Sequence, residues 1–407
     1  MTNTAPHRGD SGPSPGASQQ RLPALDVLRG IAILGTLASN IWIFTEIGTG
    51  MRSATASVTG SLFTDQKAAQ LLAWVPNGKF LGLLTIMFGI GVVIQHQSAR
   101  RHHRRWPGGY PVRCALLFLD GLVNCIFVVQ FDVLRAYAVV AFVVAFLVLF
   151  SDRIQGALAA LFLAIHIGYL AYFTFTGAGL GRVLSETEVR GAAARDTAGL
   201  EIVGWWDTTL GHLQSLPDAF KLTGELKTLV FVAGALFLIG GLLYRRGVFE
   251  PARRRLRYGL MAVGFGIALP ADFTVSILLP EYMLWGRYLF AGGIAFALLA
   301  LVTEWGIRRG GFGRLGALMS LVGRMALTCY LLQNILGVLG QYLLFNRPVF
   351  AQVSLTLLSV TAWLVISLIL IGFSWLWLRR FDRGPAEMLW HWTYDVIMGV
   401  RRAKSVQ

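Results

Sequence analysis

Residues 354–378 read SLTLLSVTAWLVISLILIGFSWLWL and run directly into Arg379 and Arg380. The stretch holds no Asp, Glu, Lys or Arg, and as a helix it is long enough to cross roughly 30 Å of hydrocarbon, which takes about 20 residues. A helix is the required form, because in lipid every backbone N–H and C=O must find its partner inside the segment. Working outward from it, comparable runs occur at 24–44, 78–97, 111–130, 133–150, 155–175, 226–244, 258–279, 284–305 and 316–344. The expected fold is all-α, a polytopic membrane helical bundle of about ten transmembrane helices.

Composition agrees. The chain has 407 residues, 55% hydrophobic and 14% charged, whereas a soluble domain carries roughly a quarter charged residues. Its net charge of +15 would suggest nucleic acid in a soluble protein. Here the arginines fill alternate short connections: Arg100, Arg101, Arg104, Arg105 and Arg113; then Arg245, Arg246, Arg253, Arg254, Arg255 and Arg257; then Arg308, Arg309 and Arg314. By the positive-inside rule these connections and both termini face the cytoplasm, and the excess charge reports orientation and contact with lipid rather than nucleic acid. Cys114, Cys125 and Cys329 lie in apolar runs without CxxC spacing, so neither a disulfide framework nor a metal site is expected. Residues 1–20, rich in Ser, Pro and Gly, read as a disordered cytoplasmic tail. The bundle spans 21–380, with 176–225 an extracytoplasmic loop or cap, and 381–407 a cytoplasmic segment whose 388–398 stretch suits an amphipathic helix at the inner interface.

Ionisable and amide side chains inside such runs are costly, and each is a candidate for function. Asp26 and Arg29 pair at i,i+3 on the first span, as a structural ion pair or a binding feature. Asn40 lies three turns along the same helix. Lys79 opens the second span and either snorkels to the interface or reaches inward. Asp120 and Asn124 stand one turn apart in the third span, where a carboxylate requires protonation, water or a partner. Asp132 and Arg135 flank the turn into the fourth span. Asp272 follows Pro270 in the seventh, Arg287 opens the eighth, and Gln333 and Asn334 form a polar patch in the ninth. Single interhelical hydrogen bonds would explain any one of them. Topology, however, puts Asn40, Lys79, Asn124, Asp132, Asp272 and Arg287 all in the outer half, suggesting a polar chamber there. No Walker loop, dinucleotide fingerprint, HExxH pair or GxSxG elbow is present. The run His102–Trp106, HHRRW, reads as a solvated basic loop, with phosphate binding as the alternative.

Several stretches resemble one family. RLPALDVLRGIAILGTLASN (21–40), KFLGLLTIMFGIG (79–91), GRMALTCYLLQNIL from Gly323, RGPAEMLWHWTY from Arg383 and the intervening LDGLVNCIFVVQFDVLRAYAVV are similar in order and spacing to the bacterial YeiB-like membrane proteins, also called domain of unknown function 418. That family is similar in turn to transmembrane acyltransferases such as heparan-glucosaminide acetyltransferase. The resemblance implies transfer of an acyl group from cytoplasmic acyl-CoA to an extracytoplasmic or membrane-embedded acceptor, without a metal. It implies that Asn40 orients the acyl carbonyl, that Lys79 donates to the oxyanion and that Asp132 matches the aspartate before the fourth span, and it places Asn124 where the pattern usually has His. Asp26, Arg29, Asp120, Arg135, Asp272, Arg287, Gln333 and Asn334 are the candidate substrate-binding residues. The expected partners are the bilayer of a bacterial plasma membrane, acyl-CoA and the acceptor, with self-association into a homo-oligomer left open. A solute transporter built of five plus five spans and a non-catalytic membrane partner are the alternatives.

Overall fold

A computed structural model describes residues 22–46, 62–128, 133–176, 205–214, 225–279, 282–345, 348–351 and 353–399. The long helices are α1 (Pro23–Glu46), α3 (Lys79–Arg101), α4 (Tyr110–Phe127), α5 (Val133–Leu147), α6 (Asp152–Phe175) and α8 (Glu225–Arg245) in the first part of the chain. The later part adds α9 (Pro251–Leu278), α10 (Met283–Arg308), α12 (Ala326–Phe345) and α13 (Leu355–Trp377). Shorter helices are α2 (Leu62–Trp74), α7 (Trp205–Gln214), α11 (Gly313–Arg324) and α14 (Pro385–Ile397). Among the described residues, eight helices are long and apolar enough to cross a membrane, and two more, Val133–Leu147 and Leu229–Arg245, are apolar but shorter. No strand occurs among the described residues. The chain is therefore an all-α helical bundle, as its apolar runs require.

Burial ranks the helices. In α1 and α3, 61% and 67% of the apolar window is buried, against 17% in both α6 and α9, so the first pair forms the bundle's centre and the second faces lipid. Leu28, Ile33, Leu37 and Ile41 of α1 meet Leu83, Ile86 and Ile90 of α3 in one core, joined by Tyr137 of α5 and Phe237 of α8. Residues on the rim such as Ile267, Leu368 and Leu376 are exposed. In lipid such apolar side chains need no cover.

All the arginine-rich connections gather at one end. Arg245 reaches Asp152, Arg257 reaches Glu304, and Arg324 donates to the Asp382 carbonyl. The expected single ninth span over 316–344 is corrected at Met325, where the backbone leaves helical geometry (φ −116°, ψ 36°). Both Arg314 and Arg324 lie in the short helix α11, which packs along α1; α12 alone crosses. Gly30 and Gly323 make that packing possible, since a β-carbon on either would overlap a backbone carbonyl of the other helix, at Met319 and Asp26 respectively.

Two shorter helices lie at the far end. Part of the stretch 45–77 is helix α2, which packs on α13 and on the end of α9. Helix α7 lies across the ends of α4 and α12: Trp205 and His212 bond to the carbonyls of Phe127 and Ile126, and Thr208 to the Tyr342 hydroxyl. The 1–20 tail and most of 176–225 fall outside the described residues.

Candidate functional site

The far end of the bundle holds a buried polar layer built on the turn between α2 and α3. Gly78 enables that turn. Its φ of 73° lies in the left-handed region, and a β-carbon would overlap the Arg287 carbonyl, so only glycine fits both demands. The turn delivers Lys79, 4% exposed, to Asp272 of α9, 1% exposed, with Nζ 2.7 Å from Oδ2. Lys79 also donates to the carbonyls of Trp74 (2.7 Å) and Asn77 (3.5 Å). Asp272 in turn accepts from the Trp74 indole N–H (2.9 Å) and the Ser276 hydroxyl (3.2 Å). The Lys79 ammonium further lies 4.6 Å from the Trp74 ring centroid, a cation–π contact. Arg287 of α10 donates to the Asn77 side-chain oxygen at 2.9 Å.

Asp272 owes its position to an irregular helix. Pro270 lacks an N–H and crowds the preceding turn. The chain answers with π-helical segments at Gly264–Ala268 and Thr274–Leu278, on either side of it. Arg287 stands in a third, Gly286–Phe290. Such wide turns cluster at functional sites.

The layer continues through Tyr288, which packs with Ala136 and Leu81 and whose carbonyl lies 3.1 Å from Nε2 of the fully buried His166 on α6. Beyond it Gly121 lies against Arg135, and the buried Asn124 stands one turn above Gly121 on α4. Lys79, Asp272 and Arg287 are thus brought together, and Asn124 and Arg135 share the neighbouring hairpin. Asn40 is half-buried on α1, outside the ion-pair group. Asp132 lies outside the described residues. Asp120 is half-buried, with one carboxylate oxygen lacking a hydrogen-bond partner. Gln333 and Asn334 are buried in the bundle interior at 0% and 2% exposure. Asp26 and Arg29 pair at 3.5 Å at the opposite end. Trp74, Asn77, Ser276 and His166 are members of the layer that sequence reading passed over; the buried His166 carried the one available signal, an ionisable residue inside an apolar helix.

The arginine-rich end contains two clefts, of about 390 Å³ and about 500 Å³, which share Arg104 and Trp106 in their walls. The larger is lined also by Arg100, Arg245 and Asp152. At the same end Arg257, 1% exposed, is not a solvated loop arginine. It binds Glu304 at 2.7 Å and donates to the carbonyls of Val248, Glu250 and Pro251.

Comparison with known proteins follows this architecture. The family described as "Protein of unknown function (DUF418)" matches residues 243–396. "Uncharacterized protein YeiB" of Escherichia coli (strain K12) is 28% identical over 401 residues, covering 91% of this chain and 95% of that protein. The chain is thus similar to YeiB along nearly its whole length. "Uncharacterized protein YxaH" of Bacillus subtilis (strain 168) is 25% identical over 398 residues, covering 92% of this chain and 94% of its own. No solved structure matches. Both relatives are bacterial, and the likeness to each runs nearly end to end, so it takes in the whole polar layer. The DUF418 match contains Asp272 and Arg287, while Lys79 and Trp74 precede it in the chain; the Lys79–Asp272 ion pair ties the matched stretch to the part before it.

The DUF418 stretch closes on a second tie. Helix α12 starts in the bundle with unpaired N–H groups, and Glu387 of α14 caps them, accepting from Leu327 N (2.8 Å) and Thr328 N (3.2 Å) and from the Thr328 hydroxyl. Thr328 returns a bond, accepting from Ala386 N. A carboxylate on a helix N-terminus satisfies donors and complements the dipole. Glu387→Ala is expected to lower stability by about 1–2 kcal/mol, with Glu387→Gln intermediate, as read by thermal unfolding in nanodiscs. An unchanged midpoint for both variants would refute the cap.

Proposed function

We propose that this chain is a plasma-membrane acyltransferase-like protein, taking an acyl group from cytoplasmic acyl-CoA and passing it to an extracytoplasmic or membrane-embedded acceptor. The reading rests on the resemblance to transmembrane acyltransferases, and the observation that supports it most is the polarity of the bundle. A phosphate-bearing donor fits the arginine-lined clefts at one end, and a buried layer of charged and amide groups stands at the other. Acyl transfer builds negative charge on the carbonyl oxygen, and fixed donors in a low-dielectric interior are strong stabilisers of it. Asn40 offers an amide N–H donor. Lys79 is saturated by Asp272 and two carbonyls, so its contribution is to hold the turn. His166 donates from Nε2 to the Tyr288 carbonyl, and this buried imidazole is the layer's candidate for the general base that the resemblance puts at the position of Asn124.

The test uses full-length protein in nanodiscs with radiolabelled acyl-CoA. Binding is expected to weaken as salt screens the arginines. Asn40→Ala is expected to abolish acyl transfer while the protein stays folded, and His166→Asn to do the same. Absence of acyl-CoA binding, with uptake of a solute into proteoliposomes, would replace this reading with that of a transporter; absence of both would leave a non-catalytic membrane partner.

A further inference from the structure

The smaller cleft at the arginine-rich end has a construction that the loop sequence HHRRW does not reveal. Three guanidinium-bearing residues line it, Arg104, Arg105 and Arg113, with His102, and no carboxylate is among its lining residues. In the neighbouring cleft, by contrast, Asp152 lies 3.1 Å from Arg245 and offsets part of the charge.

Part of the wall is fixed by packing, while Arg104 and Arg105 are exposed at it. Trp106 separates the two clefts, its indole N–H bonded to the Ala145 carbonyl at 2.7 Å and its ring against His96 and Tyr110 at centroid distances of 5.3 Å and 5.0 Å. Arg113 donates to the Gln95 side-chain oxygen at 3.0 Å and stacks on Tyr394 and Trp390 of α14, 4.6 Å and 5.5 Å from their centroids. One N–H is thereby used, and the rest of the fork is held in a set plane. Gly109 admits the Tyr394 hydroxyl so closely that a β-carbon would overlap it, which seats α14 as a wall of the cleft. The other side of α14 exposes Leu389, Trp392 and Val396, an apolar face suited to lying in the bilayer interface. The mouth of the cleft then stands at headgroup depth.

We infer that this cleft binds a phosphate monoester at the cytoplasmic face, gripped by Arg104, Arg105 and Arg113 and walled by Tyr394. Several guanidiniums with no competing carboxylate match a dianion, and planar forks bind phosphate oxygens in pairs. The volume of about 390 Å³ lies in the range of small-ligand sites, roughly 300–1,000 Å³. Two sources carry this group: the headgroup of an inner-leaflet phosphatidic acid, or a soluble phosphoester such as the sugar phosphate of a CoA donor. Only the second rests on the acyltransferase reading.

Full-length protein in phosphatidylcholine nanodiscs is titrated with adenosine 3′,5′-bisphosphate, and in parallel phosphatidic acid or phosphatidylserine is added to the bilayer and bound lipid is counted. One probe is expected to bind at least tenfold more tightly than sulfate or phosphatidylserine respectively. The exposed pair Arg104→Gln/Arg105→Gln is expected to weaken it at least tenfold without shifting the unfolding midpoint, and Arg113→Gln to do likewise. Preference for the bisphosphate assigns a soluble ligand, and preference for phosphatidic acid assigns a lipid. Binding of neither probe, or binding unchanged in the double variant, overturns the site. Neither probe carries an acyl group, so failure of acyl transfer leaves this result untouched; conversely, undiminished transfer in the double variant would exclude the CoA donor as the cleft's ligand and leave the transfer reading standing.

Discussion

Asp272→Ala is expected to destabilise the protein by about 3–5 kcal/mol, the cost of leaving one partner of a buried ion pair uncompensated. Lys79 and Asp272 are 4% and 1% exposed, so no water replaces the lost carboxylate. The Trp74 indole N–H and the Ser276 hydroxyl lose their acceptor at the same time. The effect belongs to the unpaired charge more than to the pair itself, because desolvation offsets most of the Coulomb attraction between buried charges. Replacing both partners with apolar residues, Lys79→Met with Asp272→Leu, is therefore expected to recover most of the loss. Thermal unfolding of the single and double variants in nanodiscs measures the difference. A single variant as stable as the parent would show that water or another group reaches Lys79.

Glu304→Ala is expected to cost a similar amount, about 3–5 kcal/mol, at the opposite end of the bundle. Glu304 accepts from Arg257 at 2.7 Å, from Arg308 at 2.8 Å and from the Tyr258 hydroxyl at 3.4 Å, with Arg254 at 3.7 Å. Arg308 and Arg254 are solvated and lose little on release, as exposed ion pairs do. Arg257 is 1% exposed and cannot shed its proton. Arg308→Ala should accordingly change stability by less than about 1 kcal/mol, and the contrast between the two variants is the diagnostic result. Equal losses would place the energy in the exposed arm of the network instead.

Much of the fold was legible because lipid leaves few options. An apolar run has to be a helix, and the arginines mark one end, so the expected spans at 24–44 and 354–378 lie within a few residues of Pro23–Glu46 and Leu355–Trp377. The break at Met325 was not legible by composition, since the residues that follow it are apolar and one charge does not end a span. Its signal was Arg324, a charge in the middle of the supposed span, which the structure places at the arginine-rich end beside Asp382.

The site was legible as a set of residues and not as a geometry. Lys79, Asp272 and Arg287 stand out singly as charges in apolar surroundings, but their meeting depends on long-range packing that no local pattern encodes. Trp74 and Asn77 were passed over because they belong to the approach to a span, where aromatic and amide residues are ordinary. Arg257 was read as a loop charge for the same reason: its burial is decided by Glu304, a carboxylate near the end of another helix. The cleft at Arg104 and Arg105 depends on α14, whose Tyr394 and Trp390 arrive from the far end of the chain.

The central claim is that an acyl donor is taken from the arginine-rich, cytoplasmic side and its acyl group delivered beyond the buried polar layer. The most direct test supplies radiolabelled acyl-CoA to sealed right-side-out and inside-out membrane vesicles containing the protein, and follows label into material on the opposite face. The account predicts transfer only when acyl-CoA meets the cytoplasmic face, and loss of that transfer in Asn40→Ala. Transfer of equal extent from both faces, or none from either with folded protein, would contradict it.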